Sequence, residues 1–500
     1  MSLWFRIRVL GPARPVTPCT ACTGVSFASV AIHEPIIRHV PYSRSPGLWN
    51  SDAHPSRLSR GLQTLIELPS YNIRWHRLHA PVVTLLGQDT AHRNCNLNGN
   101  AFQQDAIISF KGWQYAVFYS SCSPSGPEND LQLEPLFVYL ARRKLPDTEW
   151  QTIVFDDYRQ TTDDGHNTVQ MGICPGDGTI HLSYDHHCDV LRYRYSIEGI
   201  ASDPERFRWS KDVFTSTLDH VPGIDLPHEN FGYVTYPCIG TLGDNMFFSI
   251  RNGKAGLGDD LLYIYRAATG IQNNPYVHGM DYRDGKLHTT WVYRGFVHYD
   301  GWDDPLDAKH KQQAGPNGAE NNHNICYAYS NDGGYTWKNG QDESIASLKE
   351  GGSITPDCPV LVAFEIPKGR GLTNQEARAV DQEGGSLWKH YYRFPHVRTW
   401  TQNIIGPVPS PRRGRLAIGK TGDLFLILPN PTNSSLRILK SSKAKAYADA
   451  VEIWSGVGFM GEPLVDIKRL EEEDILSVFA IAKSATSSED RQVVVLDFRI

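Results

Sequence analysis

Ser330-Asn331-Asp332-Gly333-Gly334-Tyr335-Thr336-Trp337 is the stretch on which the fold reading turns. It has the form S-x-D-x-G-x-T-W, the Asp box, a hairpin turn whose Ser and Asp bond nearby backbone while the Trp anchors the hairpin in a sheet. Ser and Asp suit such a reversal because their short side chains reach backbone a few residues on, and Gly accepts the positive φ that tight turns need. The box marks a fold and carries no chemistry of its own.

Working outward from the box, short apolar or alternating runs are separated by Gly, Asp and Asn turns, with no long helical period. The first runs are Ala106 to Phe110, Trp113 to Tyr119 and Leu136 to Ala141. Thr168 to Ile173, Thr179 to Tyr184 and Leu191 to Tyr195 follow. The unit recurs over Tyr233 to Tyr265, Tyr276 to Trp337, Ala377 to Tyr392, Arg415 to Ile438 and Pro463 to Phe498, seven units in all. Successive antiparallel units of roughly 45 to 60 residues match a propeller, whose four-stranded blades pack around a central channel. The expectation is an all-β chain, a seven-bladed β-propeller over residues 81–500. A pair of β-sandwiches explains neither the box nor the recurring triplets. Two units look short: little separates Arg266 from Pro275, and Asp381-Gln382-Glu383-Gly384-Gly385 runs almost directly into Trp388.

Residues 1–80 differ from the rest. The first acidic residue is Glu34, the first lysine is Lys111, and Arg, His, Pro and Ser dominate without periodicity. The reading is a poorly structured N-terminal extension or a mispredicted first exon. It shows no recognisable signal peptide, because Arg6 and Arg8 interrupt the only apolar opening.

The net charge of -6 and pI near 6.3 give no general attraction to nucleic acid or an anionic membrane, so an anionic ligand needs a local cluster of Arg and His. No apolar run approaches a membrane span. Nine cysteines from Cys19 to Cys358 do not form a dense disulfide framework, and Cys19 and Cys22 make a lone C-x-x-C without a second pair.

Polar chemistry concentrates at Asp163-Asp164-Gly165-His166-Asn167-Thr168, at His181, and at Tyr184-Asp185-His186-His187. Strand alternation puts His181 on one face with Ser183, while Asp185, His186 and His187 fall at a strand end, where propeller loops open on the channel. His and Asp together are also metal ligands, although adjacent His186 and His187 diverge on an extended chain and serve one ion awkwardly. A second zone repeats the layout. Tyr233-Val234-Thr235-Tyr236-Pro237 opens one inner strand, and Arg251 ends the next in Ser249-Ile250-Arg251-Asn252-Gly253. Arg clamps a carboxylate bidentately, His titrates near neutral pH, and Tyr transfers a proton when a neighbouring cation depresses its pKa. Those three roles are what β-elimination at C4 of a uronic acid requires: neutralise the carboxylate, remove the C5 proton, protonate the departing oxygen.

The linked motifs Asp164-Gly165-His166-Asn167-Thr168, Tyr184-Asp185-His186-His187, Leu191-Arg192-Tyr193-Arg194, Thr235-Tyr236-Pro237 and Ser249 to Gly253 resemble the propeller polysaccharide lyases of the BNR, or Asp-box, repeat family. Fungal rhamnosyl-glucuronate lyases are the nearer resemblance and ulvan lyases the more distant. The resemblance covers roughly residues 85–500. It implies that His166 and Asn167 contact the uronate, that His187 or His186 is an acid/base, that Tyr236 is the second proton-transfer group and that Arg251 neutralises the carboxylate. Tyr184, Arg192, Tyr233 and Arg294 are further substrate contacts by the same motifs. It implies a uronic-acid polysaccharide as partner, an extracellular setting and a monomer. No cofactor is required, but a divalent Ca or Zn ion is carried by some relatives, for which Asn322, His323 and Cys326 are candidates. A sialidase-like glycoside hydrolase needs a carboxylate pair or a Tyr/Glu nucleophile among several arginines. A non-catalytic glycan-binding propeller needs aromatics and Arg but no titrating His/Tyr pair.

Overall fold

The computed structural model describes residues 78–89, 93–101, 105–121, 134–223, 231–252, 273–295, 321–370, 372, 378–380, 386–394, 398–407, 412–483 and 491–500. The N-terminal extension, except Leu78, His79 and Ala80, lies outside them, as do residues 253–272 and 381–385, where the sequence leaves little room for outer strands.

The described chain is nearly all β, its one α-helix being the short Ile467–Glu473. Its strands form seven antiparallel sheets, and apart from the interleaving of His187–Asp189 and Tyr193–Tyr195 between two neighbouring sheets, all but one are built from strands that follow one another along the chain. The exception joins the ends: Val82–Gln88 pairs with Arg491–Arg499, so the first described strand completes the last sheet. Strand interiors follow the apolar runs of the sequence. Trp113–Ser120 is buried along its whole length, as expected of a strand covered on both faces. Outer strands such as Gln151–Gln160 alternate exposed and buried, which hides them from a search for apolar runs.

The Asp box forms as its residue types dictate. Asp332 Oδ1 accepts from the Thr336 N–H and Ser330 Oγ accepts from the Gly334 N–H, both at 2.8 Å. Gly333 and Gly334 hold φ of 73° and 98°. Trp337 is fully buried in an apolar cluster with Trp291, Tyr293 and Phe247.

A buried ionic knot sits beside the pairing of the first and last described strands. The Asp497 carboxylate accepts from Arg143 at 2.6 Å and from Arg469 at 2.8 Å, and the two arginine side chains are only 1% and 3% exposed. Arg143 lies on the Leu136–Lys144 strand of the first complete sheet, so the knot ties that sheet to the last one. Removing one member of such a knot strands charge in the interior. Asp497→Ala is therefore expected to lower unfolding stability by about 3–5 kcal/mol in urea titration, well beyond the effect of replacing the exposed Glu205 of the surface pair with Lys144.

Candidate active site

The turn before strand Val169–Ile173 carries the first half of the site. Asp164 caps it, its Oδ1 accepting from the His166 N–H and its carbonyl from the Asn167 N–H, each at 2.9 Å. Asp163 fastens the turn to a neighbouring loop by accepting the Asn94 and Cys95 N–H groups at 2.8 Å. Beneath it, the buried Asp185 carboxylate gathers the Tyr158 hydroxyl, the Thr162 hydroxyl and the Gln160 and Asn167 amides.

The second half comes from a strand that changes sheets. After Ile180–Tyr184 the chain passes Asp185, at φ 65°, and His187–Asp189 then pairs with Val234–Leu242 of the next sheet. Thr235 stands opposite His187 on one side and Arg251 on the other, which sets the three residues in one cross-strand row. The register shifts between Thr235 and Cys238, and within this bulge Tyr236 holds φ 54°. A bulge of this kind re-aims a side chain, and a positive φ in a tyrosine costs on the order of 1–3 kcal/mol that surrounding structure must offset.

These elements converge on one carboxylate. Asp164 Oδ1 lies 2.5 Å from His166 Nδ1, and its Oδ2 lies 2.5 Å from His187 Nδ1. The two imidazoles stack with centroids 3.9 Å apart and planes at 22°, and Tyr236 lies against His166 at 5.6 Å. Arg251 is buried and places its guanidinium over the Tyr236 ring at 4.8 Å. Beyond it, Tyr276 meets Tyr236 edge-on and Arg294 sits over Tyr276.

Electrostatics assign the protons. Burial works to raise Asp164, but the hydrogen bonds from His166 and His187 override it and hold the carboxyl well below its usual range. An ionised carboxylate only accepts, so each facing Nδ1 carries a proton, which leaves Nε2 as the site where a ring gains or loses its second proton. Burial pushes His166 down against the pull of Asp164, with His187 and Arg251 acting in the same direction as burial. Burial raises Tyr236 to about 12 although Arg251 opposes it. This reverses the sequence-based expectation of a depressed tyrosine: desolvation outweighs the neighbouring cation, and Tyr236 is a phenol that keeps its proton.

Near-parallel rings suit the two oxygens of one carboxylate, whereas a single metal ion requires converging lone pairs. Asp164, His166 and His187 are close enough to be a ligand set, yet they fit the hydrogen-bonded arrangement better. The other metal candidates lie elsewhere: Cys326 is in the apolar cluster with Trp291, Asn322 donates to the Leu372 carbonyl, and His323 stacks on Tyr293.

His166, His187, Tyr236 and Arg251 are thus brought together. His186 is not. It is buried, its Nε2 accepts the Arg192 N–H at 2.8 Å, and burial with Arg192 pushes it down to about 3. Asn167 is buried, with its amide donating to Thr162 and Asp185 at 2.7 Å. Tyr184 bonds Thr217, and Arg192 pairs with Asp189, so both brace the loop from within. Tyr233 is 43% exposed, just before the strand Val234–Leu242. His181 is buried and bonded to Thr179 and Tyr193, a structural histidine. Residue-type reasoning quoted Asp164, Asp185 and Thr235 within its motifs but gave none of them a role. For Asp164 a signal existed, since an Asp two residues before a His in a turn is placed to fix that ring.

The chain belongs to the BNR repeat-containing family, which matches residues 113–402. It is 27% identical over 273 residues to the ulvan lyase, long isoform, of Glaciecola sp. (strain KUL10), covering 45% of this chain and 24% of that protein. It is 25% identical over 370 residues to the ulvan lyase, long isoform, of Alteromonas sp. (strain LOR), covering 62% of this chain and 32% of that protein. The chain therefore spans about a quarter to a third of the length of these relatives. Among solved structures it shares the fold of polysaccharide lyase Uly1, with a TM-score of 0.58 and 17% identity over 85% of this chain and 99% of that one.

Asp164→Asn tests the proton assignment. The amide offers one acceptor and brings a donor against an imidazole, so it cannot hold both rings as the carboxylate does. In imidazole ¹H–¹⁵N spectra at least one of the two rings is expected to lose its Nδ1–H form, with the fold retained by circular dichroism.

Proposed function

We propose that this protein is a polysaccharide lyase that cleaves a uronic-acid polymer by β-elimination at C4. The observation that carries the reading is the convergence of a carboxylate-clamped pair of stacked imidazoles, a protonated tyrosine and a buried arginine. Arg251 pairs with the uronate carboxylate and makes the C5 proton more acidic by stabilising the enolate-like charge that develops. An Nε2 of the His166–His187 pair takes that proton, and Asp164 stabilises the imidazolium that results. Tyr236, still a phenol at neutral pH, gives its proton to the departing O4 oxygen. Arg294, near Tyr276, serves a neighbouring sugar. None of these steps requires a metal or cofactor.

The ulvan lyases among the relatives support a uronate-containing polysaccharide, and the motif resemblance favours a rhamnosyl-glucuronate linkage. On this reading each sheet is one blade of a seven-bladed propeller, and the enzyme acts outside the cell as a monomer.

Incubation with gum arabic and with ulvan, followed by ultraviolet absorbance of the unsaturated uronate, tests the reaction. Elimination alone creates that chromophore. New reducing ends without it indicate hydrolysis, and binding without either indicates a lectin. Both results contradict the proposal. His166→Ala, His187→Ala and Tyr236→Phe are each expected to lose ~10²–10⁴ in kcat, and the larger histidine loss identifies the base. Protonating the base removes activity, so kcat/KM should fall as pH drops; if His166 is the base, the acid limb lies below the ordinary histidine value of 6.5.

A further inference from the structure

Thr235 is fully buried, and every bonding capacity of its hydroxyl is in use. Oγ1 accepts the Cys188 N–H at 2.8 Å and an Nη2 proton of Arg251 at 2.9 Å, and it donates to Cys188 Sγ at 3.6 Å. A threonine hydroxyl has two acceptor sites and one proton, so this set is complete. Its two sides belong to different parts of the site. Cys188 follows His187 on the strand that has crossed from the preceding sheet, and Arg251 ends the adjacent strand. The same Arg251 Nη2 also reaches Cys188 Sγ at 3.4 Å.

We propose that Thr235 is a positioning residue that sets the separation between the carboxylate clamp and the imidazole pair, so that neutralisation and proton removal act on the same sugar. The inference rests on the lyase reading and adds a residue to it. The backbone explains why one hydroxyl is needed here. Cys188 and Tyr236 both hold positive φ, at 54°; the ladder from Thr235's strand to His187–Asp189 shifts register between Val234 and Thr235, and its ladder to Asn245–Asn252 shifts between Thr235 and Cys238. Pairing relates Arg251 to His187 only through Thr235 itself, with irregular ladder beside it, and the side-chain bonds of Thr235 to Cys188 and Arg251 hold that one row at fixed spacing. The charge on the uronate carboxylate grows as C5 loses its proton, so a displaced Arg251 costs more in the transition state than in the ground state.

Thr235→Val keeps the shape and removes the hydroxyl, whereas Thr235→Ser keeps all three bonds. On a uronate polymer, Thr235→Val is expected to lower kcat by about 10- to 100-fold with a smaller change in KM, and Thr235→Ser to stay within about threefold of the parent protein. In the same variants, the rate at which iodoacetamide labels Cys188, followed by peptide mass spectrometry, should rise for Thr235→Val and stay near the parent value for Thr235→Ser. A Thr235→Val protein with kcat within twofold of the parent overturns the inference, as does a Thr235→Ser protein equally impaired. If the parent protein forms no unsaturated product from any uronate polymer, it is the lyase reading that fails. The labelling then still decides the anchor, an unchanged Cys188 rate in Thr235→Val counting against it.

Discussion

One carboxylate holding two stacked imidazoles is the constraint around which the site is arranged. With the rings 3.9 Å apart, two imidazolium charges would repel by about 4 kcal/mol at a surface-like effective dielectric, so the pair admits one added proton far more readily than two. Asp164 makes that single proton acceptable. It is ionised, it faces both Nδ1 atoms, and it gains a cationic partner when either ring takes a proton at Nε2. A general base needs this combination: neutral at rest, with its basic nitrogen defined and its charged form stabilised in advance.

The fold serves that arrangement by holding strand ends from two sheets at fixed spacing. Asp164 and His166 are on a turn tied down by Asp163 and Asp185, whereas His187 arrives on a short strand that has left its own sheet. Residues in sparsely populated backbone conformations cluster at this crossing: Asp185, Cys188 and Tyr236 all have positive φ. Such conformations persist only where surrounding structure over-determines them, here the ladders of Ile180–Tyr184 and Val234–Leu242 with their neighbours.

Much of this was legible in residue order. Apolar runs marked the buried strands, and the Asp box marked the hairpin whose Trp337 fills a core. His166, His187, Tyr236 and Arg251 stood out as titratable or cationic residues at strand ends. What remained hidden depended on contacts between residues far apart in sequence. His186 and His187 diverge on an extended chain, and residue order does not say which one faces the site: between the left-handed Asp185 and Cys188, His186 turns inward and His187 meets Asp164. The tyrosine's proton affinity could not be read from an arginine nearby, because burial, which sequence does not display, is the larger influence. Thr235 looked like an ordinary strand residue until its three partners were placed around it.

The proton assignment at Asp164 admits a direct measurement: the imidazole nitrogen shifts of His166 and His187 at neutral pH, from multiple-bond ¹H–¹⁵N correlation spectra assigned by single histidine substitution. Each ring is predicted to carry a proton on the Nδ1 that faces Asp164, with the lone pair of a neutral ring on Nε2. A proton on Nε2 of either neutral ring, or two imidazolium rings together at neutral pH, would contradict the account.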